Sequence, residues 1–180
     1  MTADPPARVR PATPADAAAL ARVQVTSRRT TSAPLVPAGH REARTVDQCA
    51  DEWRTWTVEH PDDVLLVSTT ATDDPVGYVL ARCEAWHEMD GRVHALQVLP
   101  EHRLQGHGRA LLHAATTELW ARGCGSVGLA VHEDDPIRSW YDLIGGVPVA
   151  DEIEDVDGQP VRQVVYRWEA AAELARRLVG

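Results

Sequence analysis

The stretch PEHRLQGHGRALLHAA, residues 100–115, sets two glycines and two arginines directly before a run with helical apolar spacing. The first amides of a helix have no partner within it, and the aligned peptide dipoles add roughly half a positive charge there. Gly106 and Gly108, having no Cβ, let backbone N–H groups approach an anion closely. Arg103 and Arg109 add charged donors worth about 1.5–3 kcal/mol each when well placed. The chemistry predicted is that of a phosphate cradle. It is not a Walker A loop, because GxxxxGK[ST] is absent, and the third glycine of a dinucleotide fingerprint is missing. On these residues alone a tight turn and an anion site both remain open.

The elements that must hold this loop follow from spacing and punctuation. ARVRPAT reads as a first strand, and Thr13, Pro14 and Asp16 as the N-cap and first turn of a helix. The prolines and glycine of SAPLVPAG, residues 32–39, mark a loop. A Thr45/Gln48 capping box then opens a second helix with apolar residues at 46, 49, 53 and 56, stopped by Pro61. VLLVST and PVGYVLARCEAW read as an antiparallel strand pair, and MDG, residues 89–91, as the turn into a further strand, RVHALQVLP. A long helix from about Gly106 to Arg122 stacks Leu112, Ala115 and Leu119 on one face. SVGLAVHE is another strand, and DDPIRSWYDLIGG a short helix stopped by Gly145 and Gly146. A hairpin turns at Asp157-Gly158, and a terminal helix lies within 169–180. Three strands in succession exclude a purely parallel doubly wound sheet. The expected fold is a single α/β (α+β) domain over 1–180, with 1–7 a flexible tail. Its mixed, mostly antiparallel sheet has six to seven strands and about four flanking helices.

Composition narrows the function classes. With 27 acidic and 18 basic residues the net charge is −9, which argues against nonspecific nucleic-acid binding and suits an amine substrate. Cys49, Cys83 and Cys124 are odd in number and form no CxxC pair, so neither a disulfide framework nor a zinc knuckle is expected. The start lacks the apolar core of a signal peptide, and no run of 18 uncharged apolar residues exists to span a bilayer. The reading is a soluble, cytoplasmic protein without a membrane partner. His102, His107 and His113 are spaced too irregularly for a shared metal face, HEDD at 132–135 reads as a helix-start cluster, and no metal is expected.

The segment LQVLPEHRLQGHGRALL resembles the signature of the GNAT superfamily of N-acetyltransferases. In that signature a strand ending in V-x-P leads into R/Q-x-x-G-x-G/A and a helix, and Arg103, Gly106 and Gly108 occupy its positions. DDPIRSWYDLIGG resembles the family's second motif, N-x-x-A-x-x-L-Y-E-x-L-G-F, with Tyr141 on its tyrosine. Here Asp134, Ile137 and Gly146 replace the usual Asn, Ala and Phe, and Leu129 stands where members acetylating protein N-termini place a glutamate. The resemblance covers roughly residues 8–168. It implies acetyl-coenzyme A (acetyl-CoA) as cosubstrate, its pyrophosphate on the loop Arg103, Leu104, Gln105, Gly106, His107, Gly108 and Arg109. The pantetheine arm would lie along the backbone of Leu96, Gln97 and Val98, with Asp134 as a further contact position and a bulge expected at Val98. It also implies Tyr141 as the group that assists the leaving thiolate, and a homodimer as one assembly open to the chain.

Acetyl transfer needs a neutral amine, a polarised thioester carbonyl and a proton for the leaving sulfur. A lysine-like amine of pKa near 10.4 is neutral about once in 2,500 at pH 7, a penalty of roughly 4–5 kcal/mol that calls for a base near the acceptor. Glu84, His87, Glu88, His94 and Glu133 are the candidates. His94 leads, because its ordinary pKa of about 6.5 suits the task and it is expected to share a strand face with Leu96 and Val98. A hydrogen-bonded strand histidine is the plainer alternative. Trp53 and Trp56 are expected to pack in the core, or else to wall the acceptor cleft where a cation sits over an indole. The function expected is transfer of acetyl from acetyl-CoA to a primary amine by direct attack. The alternatives are a non-catalytic acyl-CoA sensor of the same fold and a nucleotide-phosphate binder using the same loop.

Overall fold

In the computed structural model, residues 7–30, 44–156 and 158–179 are described. The tail expected at 1–7, apart from Ala7, the loop expected at 32–39 and Asp157 lie outside the described residues. Seven strands, β1 Arg8–Pro11, β2 Val64–Thr69, β3 Pro75–Trp86, β4 Met89–Val98, β5 Val127–His132, β6 Val147–Val156 and β7 Gln159–Trp168, form one sheet in the order β1-β2-β3-β4-β5-β7-β6. Every neighbouring pair is antiparallel except β4 with β5. The described helices are α1 Ala17–Thr30, α2 Val46–Glu59, α3 His107–Ala121, α4 Arg138–Leu143 and α5 Ala171–Leu178. The expected mixed sheet and order of elements are found, with α5 the terminal helix.

Both faces of the sheet are covered, and β2 records it: all six of its residues are buried. Val64 and Leu66 join Leu111, Leu112, Ala115 and Leu119 of α3 in one cluster, with Tyr141 and Ile144 from the α4 region and Leu174 and Leu178 of α5. Leu65 and Val67 turn the other way, against Leu20 and Val23 of α1 and Cys49 and Trp53 of α2. Strand alternation thus assigns α3, α4 and α5 to one face and α1 and α2 to the other. Each buried leucine contributes about 1.5–3 kcal/mol of apolar transfer. Val46 departs from the expected apolar stripe of α2: it is the first residue after the Thr45 cap and lies at the surface.

The turn between β3 and β4 also differs from the expectation. It falls at His87 and Glu88, both in the left-handed region with φ of 47° and 60°, and Met89–Gly91 belong to the strand. Packing decides this: Met89 is fully buried, and its side chain lies on Gly128 of β5, where any Cβ would also meet the Tyr166 carbonyl at 2.7 Å. The hairpin tip therefore folds across β5 and β7, and Glu152 of β6 holds it by accepting from Trp86 Nε1 at 3.2 Å and pairing with His87 Nε2 at 2.6 Å.

The junction of β1 and α1 is held by one carboxylate. Asp16 accepts from Arg10 Nη1 and Nη2 at 2.8 and 2.9 Å and from Thr13 N and Oγ1 at 2.8 and 2.9 Å. Arg10 holds its carboxyl below the ordinary value, against the opposing effect of burial. Asp16→Asn is expected to cost about 2–3 kcal/mol in urea unfolding at neutral pH. Because the folded value lies below the unfolded one, this contribution is present above about pH 4 and lost as pH falls through the folded value. The variant should therefore lose stability less steeply than the wild type on the acid side, and a parallel decline in both proteins would contradict this.

Candidate functional site

The site is created where two strands part. β4 and β5 are hydrogen-bonded only over Gly91–Val93 against Val127–Leu129, after which β4 continues beside β3 to Val98 and β5 beside β7 to His132. At the point of parting the β3/β4 register jumps, Ala81 facing Val93 while Leu80 faces Ala95, so His94 is the extra residue of a β-bulge. The bulge expected at Val98 is thus found four residues earlier. Leu99 N donates to Val76 O at 2.9 Å, toward β3. By the alternation of an extended strand, Val98 and Leu96 turn their amide groups to the other edge, into the opening, whereas Gln97 turns its backbone to β3. Gln97 Oε1 accepts from Tyr78 OH at 3.2 Å.

The opening ends at the start of α3. Gly106 is the N-cap with φ +89°, the left-handed conformation that favours glycine, and with no side chain it supplies no cap bond. The first bond of the helix is Ala110 N to Gly106 O at 2.9 Å, and the first turn carries no acidic residue. The amides ahead of Ala110 are thus outside the helical ladder, at its positive end. Leu104, also left-handed at φ 58°, is fully exposed on the loop. Arg103 Nε donates to Val98 O at 3.2 Å and Gln105 Nε2 to Glu101 O at 2.9 Å, tying the loop to the end of β4. Gly108 faces Val98: a Cβ there would sit 3.9 Å from its Cγ2. The His107 imidazole turns the other way. It is buried, its Nδ1 lies 2.6 Å from Ser68 Oγ, and burial holds its pKa below the ordinary value. Only its backbone shares the cradle.

On the α1/α2 face of β3 and β4 lies a charged row that the sequence reading only partly foresaw. Arg82 is bound through Nε and Nη2 to the two oxygens of Asp63, each at 2.9 Å, and stands 4.8 Å over the Trp56 ring. Trp56 is therefore occupied by a cation of the protein itself, and Trp53 packs in the core with its Nε1 on Gln24. Directly opposite Arg82 is Arg92, stacked 4.1 Å over Trp86 and 3.7 Å from Glu84. Glu84 also pairs with His94 Nε2 at 3.0 Å. His94 thus joins the Glu84 side of the sheet, while Leu96 and Val98 pack toward α3, so the shared face expected for the three does not exist: the bulge reverses the alternation. Burial lowers the His94 pKa, with Arg92 and Arg82 adding to the effect and Glu84 opposing it. The neutral ring then carries its hydrogen on Nε2, toward Glu84, leaving Nδ1 as the basic atom. Glu133 stands apart with Arg162 at 3.7 Å, and Glu88 is exposed on the hairpin tip. Arg82 and Glu84 share a strand face by their spacing, but Arg92, Asp63 and Glu152 join them only through register and hairpin folding.

Tyr141, on α4, is buried among Trp140, Tyr166 and Trp168, with ring centroids 5.4, 5.6 and 5.9 Å away. Burial pushes its phenol above the ordinary value. Gly145 at φ 83° ends α4, and Gly146 N closes the turn on Tyr141 O at 2.9 Å. Asp134 is exposed in the turn after β5, its N–H held by His132 Nδ1 at 3.0 Å. Among the described residues, no group of three or more His, Cys, Asp or Glu side chains could hold a metal ion. None of the described helices is long and apolar enough to cross a membrane.

Comparison with known proteins gives the arrangement a context. The family model described as Acetyltransferase (GNAT) family matches residues 31–142. The chain is 27% identical over 159 residues to an uncharacterized N-acetyltransferase, YuaI, of Bacillus subtilis (strain 168), covering 86% of this chain and 88% of that protein. Its fold is similar to that of a GCN5-related N-acetyltransferase from Rhodopseudomonas palustris, with a TM-score of 0.73 at 19% identity, over 94% of this chain and 99% of the other. It is also similar to yncA of Salmonella typhimurium, solved with its cofactor acetyl-CoA, with a TM-score of 0.67 at 16% identity, over 92% and 94% of the two chains.

The electrostatics of the charged row can be checked directly. An NMR titration should find His94 below the ordinary value of about 6.5, and Glu84→Gln should lower it further by removing the charge that favours the imidazolium. A rise in the variant would contradict the assignment.

Proposed function

The chain belongs to the acetyltransferase (GNAT) family, and from that membership we propose that it transfers the acetyl group of acetyl-CoA to a primary amine by direct attack. The observation that carries the reading is the open edge of β4 beside the start of α3, which no side chain caps. Leu96 and Val98 would bind the pantetheine amides as an added strand does. The amides of Gly106, His107, Gly108 and Arg109, with the Arg103 and Arg109 guanidinium groups, would receive the diphosphate. The residues fit such a ligand: no side chain caps the helix, no carboxylate occupies its first turn, and Gly106 keeps the approach clear, with nothing within 4 Å of a Cβ built there. When bound, the cosubstrate supplies an activated acetyl thioester. Leu104 and Gln105 would shape the rim, and Asp134 would be a further contact from the turn after β5.

The remaining work falls to the protein's own groups. Val98 N–H, facing the opening, is the donor suited to polarise the thioester carbonyl. His94, held neutral by burial and oriented by Glu84, is the group suited to take the proton of the incoming ammonium through Nδ1, directly or by water. Tyr141 assists the departing thiolate. With its pKa raised by burial it is a poorer acid than a free phenol, so it acts through the hydrogen bond it donates rather than by giving up its proton beforehand. The acid balance of the chain, with net charge −9, favours a cationic amine over an anionic acceptor.

The test is thiol release from acetyl-CoA across a panel of polyamines, amino acids and lysine peptides. Tyr141→Phe should lower kcat by about 100-fold or more while coenzyme A binding is retained. An unchanged kcat would remove the tyrosine from the reaction. Coenzyme A binding with no release for any amine would favour the sensor reading instead.

A further inference from the structure

The proposed transfer leaves two cysteines without a role, and the fold brings them together. Cys83 on β3 stands opposite Gly91 in the β3/β4 ladder, and Cys124, just past the end of α3, places its Cβ 3.4 Å from where a Gly91 side chain would begin. Gly91 has no side chain, so Cys124, with Leu119 and Val127, closes over it on the sheet face that its ladder partner Cys83 shares. The Cys124 thiol approaches the Asp90 carbonyl at 3.4 Å, and the neighbouring Cys83 thiol adds to the upward shift that burial gives its pKa. Both line an open cleft of about 300 Å³ together with Glu84, Asp90 and Arg122. Cys83 is exposed; Cys124 and the remote Cys49 are buried. An exposed thiol beside a buried one, in a cleft with an arginine, is the arrangement in which an oxidised sulfur finds a resolving partner before solvent does.

We propose that Cys83 and Cys124 are a dithiol site that a hydroperoxide closes to an intramolecular disulfide across Gly91. In the first step the Cys83 sulfur attacks a peroxide oxygen: an S–O bond forms, the O–O bond breaks, and the leaving oxygen departs as water or an alcohol with the thiol proton. Cys83 is oxidised to the sulfenic acid and the peroxide is reduced. In the second step the Cys124 sulfur attacks the Cys83 sulfur, the S–S bond forms, and hydroxide leaves with the Cys124 proton as water. The order follows from access and from burial, which pushes the Cys124 thiol up to about 12 and makes it the slower nucleophile. The bond ties β3 to the segment leading into β5, across Gly91 where β4 begins its contact with β5. It thus braces the root of the opening without touching its mouth.

The full chain is treated with hydrogen peroxide under native conditions, alkylated after denaturation and mapped by mass spectrometry. The expected product has lost the mass of two hydrogens, carries the Cys83 and Cys124 peptides joined, leaves Cys49 alkylated, and returns to the starting mass with dithiothreitol. Cys124→Ser should stop at a dimedone-reactive sulfenic acid on Cys83. The proposal is overturned if the wild type accumulates sulfenic or higher acids at Cys83 without joining the two peptides, or if Cys83 links two molecules instead.

Discussion

The organisation of this molecule depends on the failure of two parallel strands to stay paired. A buried backbone amide or carbonyl without a partner costs about 1–3 kcal/mol, so neighbouring strands normally zip to their ends. Here β4 and β5 pair over three residues each and then separate, each kept in place by its own antiparallel neighbour, β3 for one and β7 for the other. The extra residue at His94 lets β4 change direction without losing β3. What remains is an edge of peptide groups at Leu96 and Val98 with no neighbouring strand, the Val98 carbonyl held by Arg103 and the two amides turned into the opening, inside the body of the sheet yet open to a ligand. An added strand, in chemical terms, is what such an edge accepts.

The helix that begins beside this edge completes the site electrostatically. The chain as a whole is strongly acidic, yet the end of the opening has the positive pole of α3, with Arg103 tied to Val98 O beside it. A negatively charged carrier would be favoured at that end, whereas the carboxylates of Glu84 and Glu152 are engaged by His94 and Arg92 and by Trp86 and His87. A positive end beside an open strand edge is what the proposed phosphorylated donor requires. His94 sits at the bulge itself, so the residue that creates the opening is also the one whose proton affinity is tuned by its neighbours.

Much of this was legible from local signals. The capping box at Thr45 and Gln48, the glycines ending α4, the antiparallel pairing of β6 with β7 and the long stripe of α3 each rest on a few adjacent residues, and each is found in the structure. The glycine-rich start of α3 was legible for the same reason, since it is a property of one short segment. The errors came from long-range packing. Met89 is drawn into the strand because Gly128, far along the chain, leaves room for it, and the left-handed turn moves back to His87 and Glu88. His94 changes face because of a bulge that spacing alone does not reveal. Arg92 and Glu152 became visible only when register set one opposite Arg82 and hairpin folding brought the other to Trp86.

Amide hydrogen exchange, with and without coenzyme A, tests the central claim most directly. If the parted strand edge and the α3 start are the binding surface, the Leu96 and Val98 amides and those of Gly106 to Arg109 slow together on addition of the ligand, while Gln97, already bonded within the sheet, changes little. Protection elsewhere with these amides unchanged, or no protection at a coenzyme concentration that saturates the protein, would contradict the account.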